Sequence, residues 1–307
     1  MIMESLGYNH GRVYVDQRVT IHVNGQELPE VGHHALFQWA QQLKALTGKM
    51  PSQTEVLKPL IEFLVMTIHP AKIYLLPQDD NDSYFNLLIV ISSKYNLPFS
   101  KLEPILELIY ALDYKVTCSL HNEGLVRESL KNGQIYFSLN CRPEYLLYDD
   151  GQFEYPETSE EIMIVLKREA RKVFDTSYGK AQAFYGSALQ LLEANDKRLI
   201  PFMLQQSAEL TYRAILKAIF GADHKTHELR ILKKLVRRAS RKLCDIFKND
   251  DPEDMKLMHQ LERAYVDARY QDEYNPEEIP INLAFEKVRL LHQAAEEFIG
   301  ERLGRDQ

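Results

Sequence analysis

The chain changes its pattern of hydrophobic and polar positions near its midpoint. Up to about residue 150, short apolar runs of strand length are separated by stretches with helical spacing. That order is typical of a small α/β layer. Beyond residue 156 no strand is predicted, and the apolar spacing favours a bundle of helices with short connections.

Each half predicts its own series of elements. Near the N-terminus, RVYVDQRVTIHVNG alternates and predicts two short strands or one bent strand, followed by a turn at Asn24-Gly25. The other elements predicted in the first half are a helix over 33–46 that contains Trp39, a helix over 54–68, a strand over 72–76, a strand that ends at Ser92, a helix over 98–112, a strand over 114–120, a helix that ends at Gly133, a strand over QIYFSL and an extended piece over EYLLYDD. The helices predicted in the second half cover 157–194 (as one helix or two), 196–220, 226–242, 252–270 and 276–303.

These elements predict an α+β multidomain protein with three parts. Residues 1–50 form an N-terminal extension, 51–156 form a small α/β domain, and 157–307 form an all-α helical bundle. The boundary falls at GQFEYP, residues 151–156, where neither period continues.

The helix predicted over 196–220 is apolar almost all round, which is typical of a helix buried in a bundle. Gly221 is placed to end it as a C-terminal cap, and Thr226 to begin the next helix as an N-cap. Glu209 and Arg213 are an i, i+4 pair inside this buried helix. We therefore expect them to satisfy other polar groups, either across the bundle or at a dimer interface.

Composition excludes several classes of protein. The 307 residues are 45% hydrophobic and 26% charged, as in ordinary globular proteins. No apolar run has the roughly 18 residues that a membrane span needs, and no signal peptide is recognisable. Cys118, Cys141 and Cys244 are widely spaced without a CxxC motif, so neither disulfides nor a zinc site is predicted, and a cytoplasmic location fits best.

The net charge of −7 gives no general attraction to nucleic acid and no signal specific for DNA. A local basic stripe nevertheless follows one side of the helix predicted over 226–242. It consists of Arg230, Lys233, Lys234, Arg237, Arg238 and Arg241. Such a stripe can contact RNA phosphates with a salt-dependent affinity. The alternative is a solvated outer face, and no aromatic residue interleaves with the stripe to stack on bases.

The second half resembles the HEPN domain, an all-α bundle, over about residues 170–300. Gln206, Ser207, Ala208 and Glu209 correspond to the family's Gln-Ala-Ala-Glu element, and Arg213 stands where lysine is frequent. Thr226, His227, Glu228 and Leu229 correspond to a Thr-His-acidic-Leu element, and Arg269 with Tyr270 to a late Arg-Tyr pair.

The resemblance implies either RNA cleavage without a metal, or else nucleotide binding or a structural dimer. Cleavage in the family uses an Arg-x4–6-His motif, which is absent here because Arg289 and His292 are only three positions apart. We therefore expect no ribonuclease activity from that motif.

The preceding α/β unit is similar in element order to the minimal nucleotidyltransferase domain, which often precedes a HEPN domain. That family has Gly-Ser after the first strand, then Asp-x-Asp, then a third Asp on a later strand. The corresponding positions here are Pro77-Gln78, Asn86 and Thr117, while Asp79, Asp80 and Asp82 fall in the loop between strands. The resemblance therefore implies a degenerate, inactive copy, with no cofactor and no support for a bound magnesium nucleotide.

The resulting prediction is a non-catalytic HEPN protein that binds a nucleotide or RNA and forms a homodimer, in a bacterial stress or defence setting. The residues predicted for a polar ligand pocket are Gln205, Glu209, His227, Arg269 and Tyr270. For the last two, the alternative is a bundle-locking network, because Glu262, Tyr265 and Arg269 share one helix face. Two other functions stay open: an active ribonuclease or nucleotidyltransferase with displaced catalytic residues, and a purely structural interaction module.

Overall fold

The computed structural model describes residues 13–15, 21–23, 26–27, 53–77, 85–95, 98–112, 116–270, 274 and 276–304. Three predicted features lie outside these described residues: the turn at Asn24-Gly25, the helix over 33–46 and the loop with Asp79, Asp80 and Asp82.

The chain separates into two compact units. One comprises the described residues up to Gly133 together with Phe137–Glu157, and the other comprises Gln134–Tyr136 together with the described residues from Thr158 onward. The first unit contains the strands and the second is helical. The coarse α+β prediction, a small sheet unit followed by a helical region, is therefore confirmed.

Three short strands form a small antiparallel sheet in the first unit. They are β1 (Val13–Val15), β2 (Ile21–Val23) and β3 (Gln26–Glu27), in the order β1-β2-β3. The alternating N-terminal segment thus forms two separate strands rather than one bent strand.

The larger sheet has four strands and is mixed. Its elements and the helices between them are α1 (Gln53–Ile68), β4 (Pro70–Leu75), β5 (Phe85–Ile91), α2 (Phe99–Leu112), β6 (Val116–Asn122), α3 (Glu123–Lys131), α4 (Ile135–Asn140) and β7 (Leu146–Asp149). The strand order is β6-β5-β4-β7, with β5 and β6 parallel and β4 antiparallel to both β5 and β7. Apolar side chains of α1 and α2, including Phe63 and Ile109, pack with Ile73, Leu87 and Ile89 of the strands into one core.

One predicted strand is wrong: QIYFSL forms the helix α4. Its short apolar run predicts a strand, but Ile135, Tyr136, Phe137 and Ser138 are all buried in a single helical turn. A short segment that is buried on every side has no period that separates a helix from a strand. The predicted extended piece EYLLYDD, in contrast, supplies the edge strand β7.

The described part of the second unit contains six α-helices. They are α5 (Glu160–Glu193), α6 (Ile200–Phe220), α7 (Leu229–Val236), α8 (Arg241–Cys244), α9 (Pro252–Tyr270) and α10 (Ile281–Leu303). Helix α6 is central and contacts α5, α7, α9 and α10, as its nearly continuous apolar surface predicts. The described residues include no helix with the length and apolar character that a membrane crossing requires.

The connection after α6 differs in part from the prediction. Gly221 ends α6 with φ of 69°, in the left-handed region that glycine adopts without strain. The single helix predicted over 226–242 is wrong, because α7 begins at Leu229, ends at Val236 and is followed by a turn. Ser240 then caps α8, accepting a hydrogen bond from the amide of Leu243.

Candidate functional site

Helix α6 places two residues of the predicted pocket, Gln205 and Glu209, on the same face as Arg213. Gln205, Glu209 and Arg213 follow one another at intervals of four, which aligns side chains along a helix. Gln205 is fully buried and Glu209 is 1% exposed. A buried carboxylate is costly unless several donors surround it, so its partners define the site.

The Glu209 carboxylate accepts hydrogen bonds from four side chains. Nε2 of Gln205 and Nε2 of Gln206 each donate to Oε2 at 3.1 Å. Nη1 of Arg213 donates to Oε1 at 3.1 Å, and Nδ1 of His227 lies 3.0 Å from Oε2. Because both amide nitrogens and the guanidinium only donate, Glu209 is an acceptor and His227 carries its proton on Nδ1.

The loop between α6 and α7 is held by the same residues. Gln205 donates to the backbone carbonyl of His227 at 3.1 Å. Arg213 donates from Nη2 to Oδ1 of Asp223 at 2.8 Å, which lowers the pKa of Asp223. Burial opposes the charge of Arg213, but its hydrogen bonds to Asp223 and Glu209 leave its pKa above the ordinary value. These contacts hold residues 222–228 in a non-helical conformation and orient the His227 side chain toward α9.

Tyr265 of α9 connects His227 to Arg269. Its ring stacks on His227 with centroids 4.1 Å apart, and its hydroxyl lies 3.0 Å from Nε2 of His227. The guanidinium of Arg269 lies 3.9 Å from the centroid of the same ring. Nε of Arg269 donates to the backbone carbonyl of Tyr265 at 2.7 Å, which fixes the orientation of the guanidinium plane.

The outer part of the site is exposed and aromatic. Arg269 is exposed and lies 5.0 Å from the ring centroid of Tyr270, whose side chain is 73% exposed. The ring of Phe202 lies 5.6 Å from the same guanidinium. In the part of the chain that the structure describes, no carboxylate forms a salt bridge with Arg269. An oriented guanidinium can bind a phosphate, and the exposed ring of Tyr270 beside it can stack on a base.

These contacts link the five residues predicted for a pocket into one candidate site with two layers. Gln205 and Glu209 form its buried floor, His227 and Arg269 lie above it, and Tyr270 is at the rim. Helical spacing predicts that Tyr265 lies on the same face of its helix as Arg269, but it does not identify Tyr265 as a site residue. Phe202 carries no sequence signal at all, because its proximity arises only from the packing of α6 on α9.

The basic stripe is interrupted in the structure. Lys233 is buried, with Nζ donating to Oδ1 of Asn249 at 2.6 Å, and burial lowers its pKa. It therefore does not lie on the exposed face. The exposed members are Arg230, Lys234, Arg237 and Arg238, while Arg241 is half-buried and pairs with Asp245.

Arg230 joins the stripe to the pocket. Its Nε donates to Oε2 of Glu262 at 2.9 Å, and Glu262 lies one turn before Tyr265 on α9. Arg230 is thus a neighbour of the Tyr265–Arg269 surface, and Lys234 follows one turn later on α7, whereas Arg237 and Arg238 lie in the turn after α7.

His292 does not contribute to this site. Its Nε2 lies 2.8 Å from Oγ of the fully buried Ser207, and the rings of Tyr178 and Tyr185 lie beside it. Burial lowers the pKa of His292 to about 4, so it is neutral near pH 7. Its role in the bundle is that of a packed core residue.

In the described part of the sheet unit, the two strand positions at which the nucleotidyltransferase resemblance would require acids hold Asn86 and Thr117. Asn86 and Thr117 are cross-strand neighbours on β5 and β6, and the Thr117 hydroxyl donates to Oδ1 of Asn86. Among the described residues, no group of three or more His, Cys, Asp or Glu is placed to hold a metal ion.

Fold and site together define a helical-bundle domain with a buried carboxylate anchor beneath an exposed arginine–aromatic surface. Residues 174–303 match the family model described as HEPN domain, from within α5 to the end of α10. The comparison with curated proteins found no match. A HEPN domain is therefore present in the helical unit, which confirms that part of the sequence prediction, while no family match covers the sheet unit.

Proposed function

We propose that the HEPN domain binds a nucleotide unit, as part of single-stranded RNA or free in solution, and that it does so without catalysing a reaction. The observation that carries the proposal is the arginine–aromatic surface: Arg269 is held by the Tyr265 carbonyl and ring, beside the exposed ring of Tyr270. A guanidinium in this position can pair with a phosphate while an adjacent ring stacks on the base.

The buried floor supports this surface. Glu209 holds His227 through Nδ1, and His227 in turn stacks on Tyr265. Each contact removes rotamer freedom from the layer above, so Tyr265 and Arg269 are ordered before a ligand arrives. Such pre-organisation raises affinity by lowering the entropy lost on binding.

Single-stranded RNA is the form of ligand that the neighbouring basic residues favour. Arg230 pairs with Glu262 beside the candidate site, and the exposed cations Lys234, Arg237 and Arg238 follow it within eight residues of the chain. A strand with one base on the pocket can continue along these cations through its phosphates.

Fluorescence polarisation with a labelled single-stranded RNA tests the proposal. We expect Arg269→Ala and Tyr270→Ala each to weaken binding by about 5- to 100-fold, the range typical of a lost phosphate contact or stacked base. Arg263→Ala is the matched control, because Arg263 is an exposed arginine of α9 that pairs with Asp267. An equal loss of RNA affinity in Arg263→Ala would count against the pocket. Unchanged affinity in both Arg269→Ala and Tyr270→Ala would do the same.

Two other functions are separated by the same reagents. RNA that is shortened by the wild-type protein but not by Arg269→Ala would show a ribonuclease with displaced residues. Absence of any RNA or nucleotide binding, at low salt as well as at physiological salt, would favour a purely structural interaction module.

The sheet unit is proposed as a degenerate nucleotidyltransferase-like domain. Its support is the neutral Asn86–Thr117 pair on adjacent parallel strands, at positions where two metal-binding acids would be needed. We expect no nucleotidyl transfer from ATP with magnesium, and observed transfer would refute this part. Homodimer formation, bacterial origin and a stress or defence setting remain predictions that rest on the family resemblance.

A further inference from the structure

The hydrogen bonds of His227 determine where its ring can take up a second proton. Nδ1 lies 3.0 Å from Oε2 of Glu209, and because a carboxylate only accepts, Nδ1 carries the proton of the neutral ring. Nε2 is then an acceptor, and the hydroxyl of Tyr265, 3.0 Å away, donates to it. A second proton on the ring therefore binds at Nε2, next to this hydroxyl.

That proton reverses the hydrogen bond between His227 and Tyr265. Nε2 of an imidazolium is a donor without a lone pair, so the oxygen of Tyr265 must accept from it. The hydroxyl hydrogen of Tyr265 then turns away from Nε2. Both N–H groups of the imidazolium are bonded, one to Glu209 and one to Tyr265, so the donor that becomes available belongs to Tyr265.

The Tyr265 hydroxyl belongs to the same ring that supports Arg269. The guanidinium lies 3.9 Å from the ring centroid, and its Nε is held by the Tyr265 carbonyl, so its two Nη groups can serve a phosphate. The contact between the hydroxyl and His227 lies at the surface. A phosphate has several acceptor oxygens and can bond to the hydroxyl and the guanidinium together.

The charged surroundings of His227 come from both helices that pack on its loop. Glu209 of α6 contacts the ring and is itself paired with Arg213, and Tyr265 of α9 stacks on it beneath Arg269. The titratable or charged residues of the loop and of the start of α7 are Asp223, His224, Lys225, Glu228 and Arg230, of which Asp223 pairs with Arg213 and Arg230 with Glu262. Since Arg213 already balances Glu209, a proton on His227 adds positive charge beside Arg269.

We propose that the Tyr265 hydroxyl is a proton-dependent phosphate contact of the nucleotide site. It donates to His227 when that ring is neutral, and to the phosphate of the ligand when His227 is protonated. The inference rests on the proposed nucleotide binding and adds a direction to it. Binding takes up a proton, so the affinity increases as the pH falls through the range of about 5 to 8 in which histidine side chains titrate.

Fluorescence polarisation of labelled single-stranded oligouridine, without a terminal phosphate that would itself titrate, measures the ratio of Kd at pH 8 to Kd at pH 5.5. A change in affinity common to both pH values cancels in this ratio. We expect about 10 for the wild type, from one hydrogen bond to a charged group. Tyr265→Phe keeps the ring beneath Arg269 and should reduce the ratio to about 3, the effect of one screened charge. His227→Gln should bring it to about 1.

The matched control is His224→Gln, because His224 lies on the same loop outside the site, and this variant should keep the wild-type ratio. Nitrogen-15 NMR of the histidine rings gives a second measurement without a ligand, with His227→Gln identifying the signals. We expect the Nδ1-protonated tautomer of His227 at pH 8 and protonation of Nε2 in acid.

The outcomes separate this inference from the proposed function. RNA binding with one ratio in the wild type, Tyr265→Phe and His227→Gln would overturn the inference and leave the nucleotide site standing. The Nε2-protonated tautomer at pH 8 would also overturn it. Absence of RNA binding at both pH values would overturn the inference together with the proposed function.

Discussion

His227 donates from Nδ1 to the buried carboxylate of Glu209 at 3.0 Å, although the two residues are 18 positions apart in the sequence. This contact joins the loop before α7 to the central helix and turns His227 toward Tyr265. It makes Glu209 an anchor for the whole candidate site, since Gln205, Gln206 and Arg213 donate to the same group.

Removal of the Glu209 carboxylate should destabilise the helical unit. We expect Glu209→Ala to lower the free energy of unfolding by about 2–4 kcal/mol, because it leaves buried donors without an acceptor. Glu209→Gln keeps one acceptor oxygen and should cost less. Urea denaturation measures both, with the exposed Glu286→Ala as control. A Glu209→Ala variant as stable as that control would contradict the role of an anchor.

Acid should destabilise the helical unit through His292. Its folded-state pKa of about 4 lies below the unfolded value near 6.5, so the unfolded chain binds the proton first. The contribution of neutral His292 to the free energy of unfolding is fully present above about pH 6.5. It is lost as the pH falls toward 4, by up to about 3 kcal/mol.

The matched variant for this pH dependence is His292→Gln, which retains a polar group near Ser207 but does not titrate. Urea unfolding at several pH values should show a shallower loss of stability between pH 6.5 and 4 in the variant than in the wild type. Parallel curves for the two proteins would refute the assignment.

Substitution of Gly221 should destabilise the end of α6. Its φ of 69° is strained for any residue with a Cβ atom, so Gly221→Ala should cost about 1 kcal/mol although the space around it is open. The same substitution at Gly179 lies within a helix and should instead stabilise the fold by a few tenths to about 1 kcal/mol. Thermal unfolding of the two variants should therefore shift in opposite directions.

Lys233 and Lys234 are neighbours in sequence that should behave differently. Lys233 is 3% exposed and bonded to Asn249, so Lys233→Ala should lower the free energy of unfolding by about 1–3 kcal/mol. Lys234→Ala should leave stability within about 0.5 kcal/mol but reduce the salt dependence of RNA binding. If Lys233→Ala lost RNA affinity without losing stability, and Lys234→Ala bound RNA normally, these two assignments would be reversed.

Local features of the sequence accounted for much of the fold. The C-cap at Gly221 depends on one residue's backbone preference, and the alignment of Gln205, Glu209 and Arg213 depends on helix periodicity alone. Most strands and helices of both units were likewise predictable, because each has a clear period over its own length. Two segments are exceptions. QIYFSL is a short buried run without a period that separates helix from strand, and the helix predicted over 226–242 is divided into α7 and α8 by a turn after Val236.

The sequence by itself therefore determined the sheet-then-helix order, the burial of most of α6 and which residues share one face of a helix. Only the tertiary structure decided that His227 reaches Glu209, that Tyr265 and Phe202 flank Arg269, and that Lys233 turns inward to Asn249. The physical reason is that these contacts join segments brought together by packing of the whole bundle. The free energy of these contacts depends on how deeply the side chains are buried and how close the elements lie. The spacing of residues within one element does not determine either quantity.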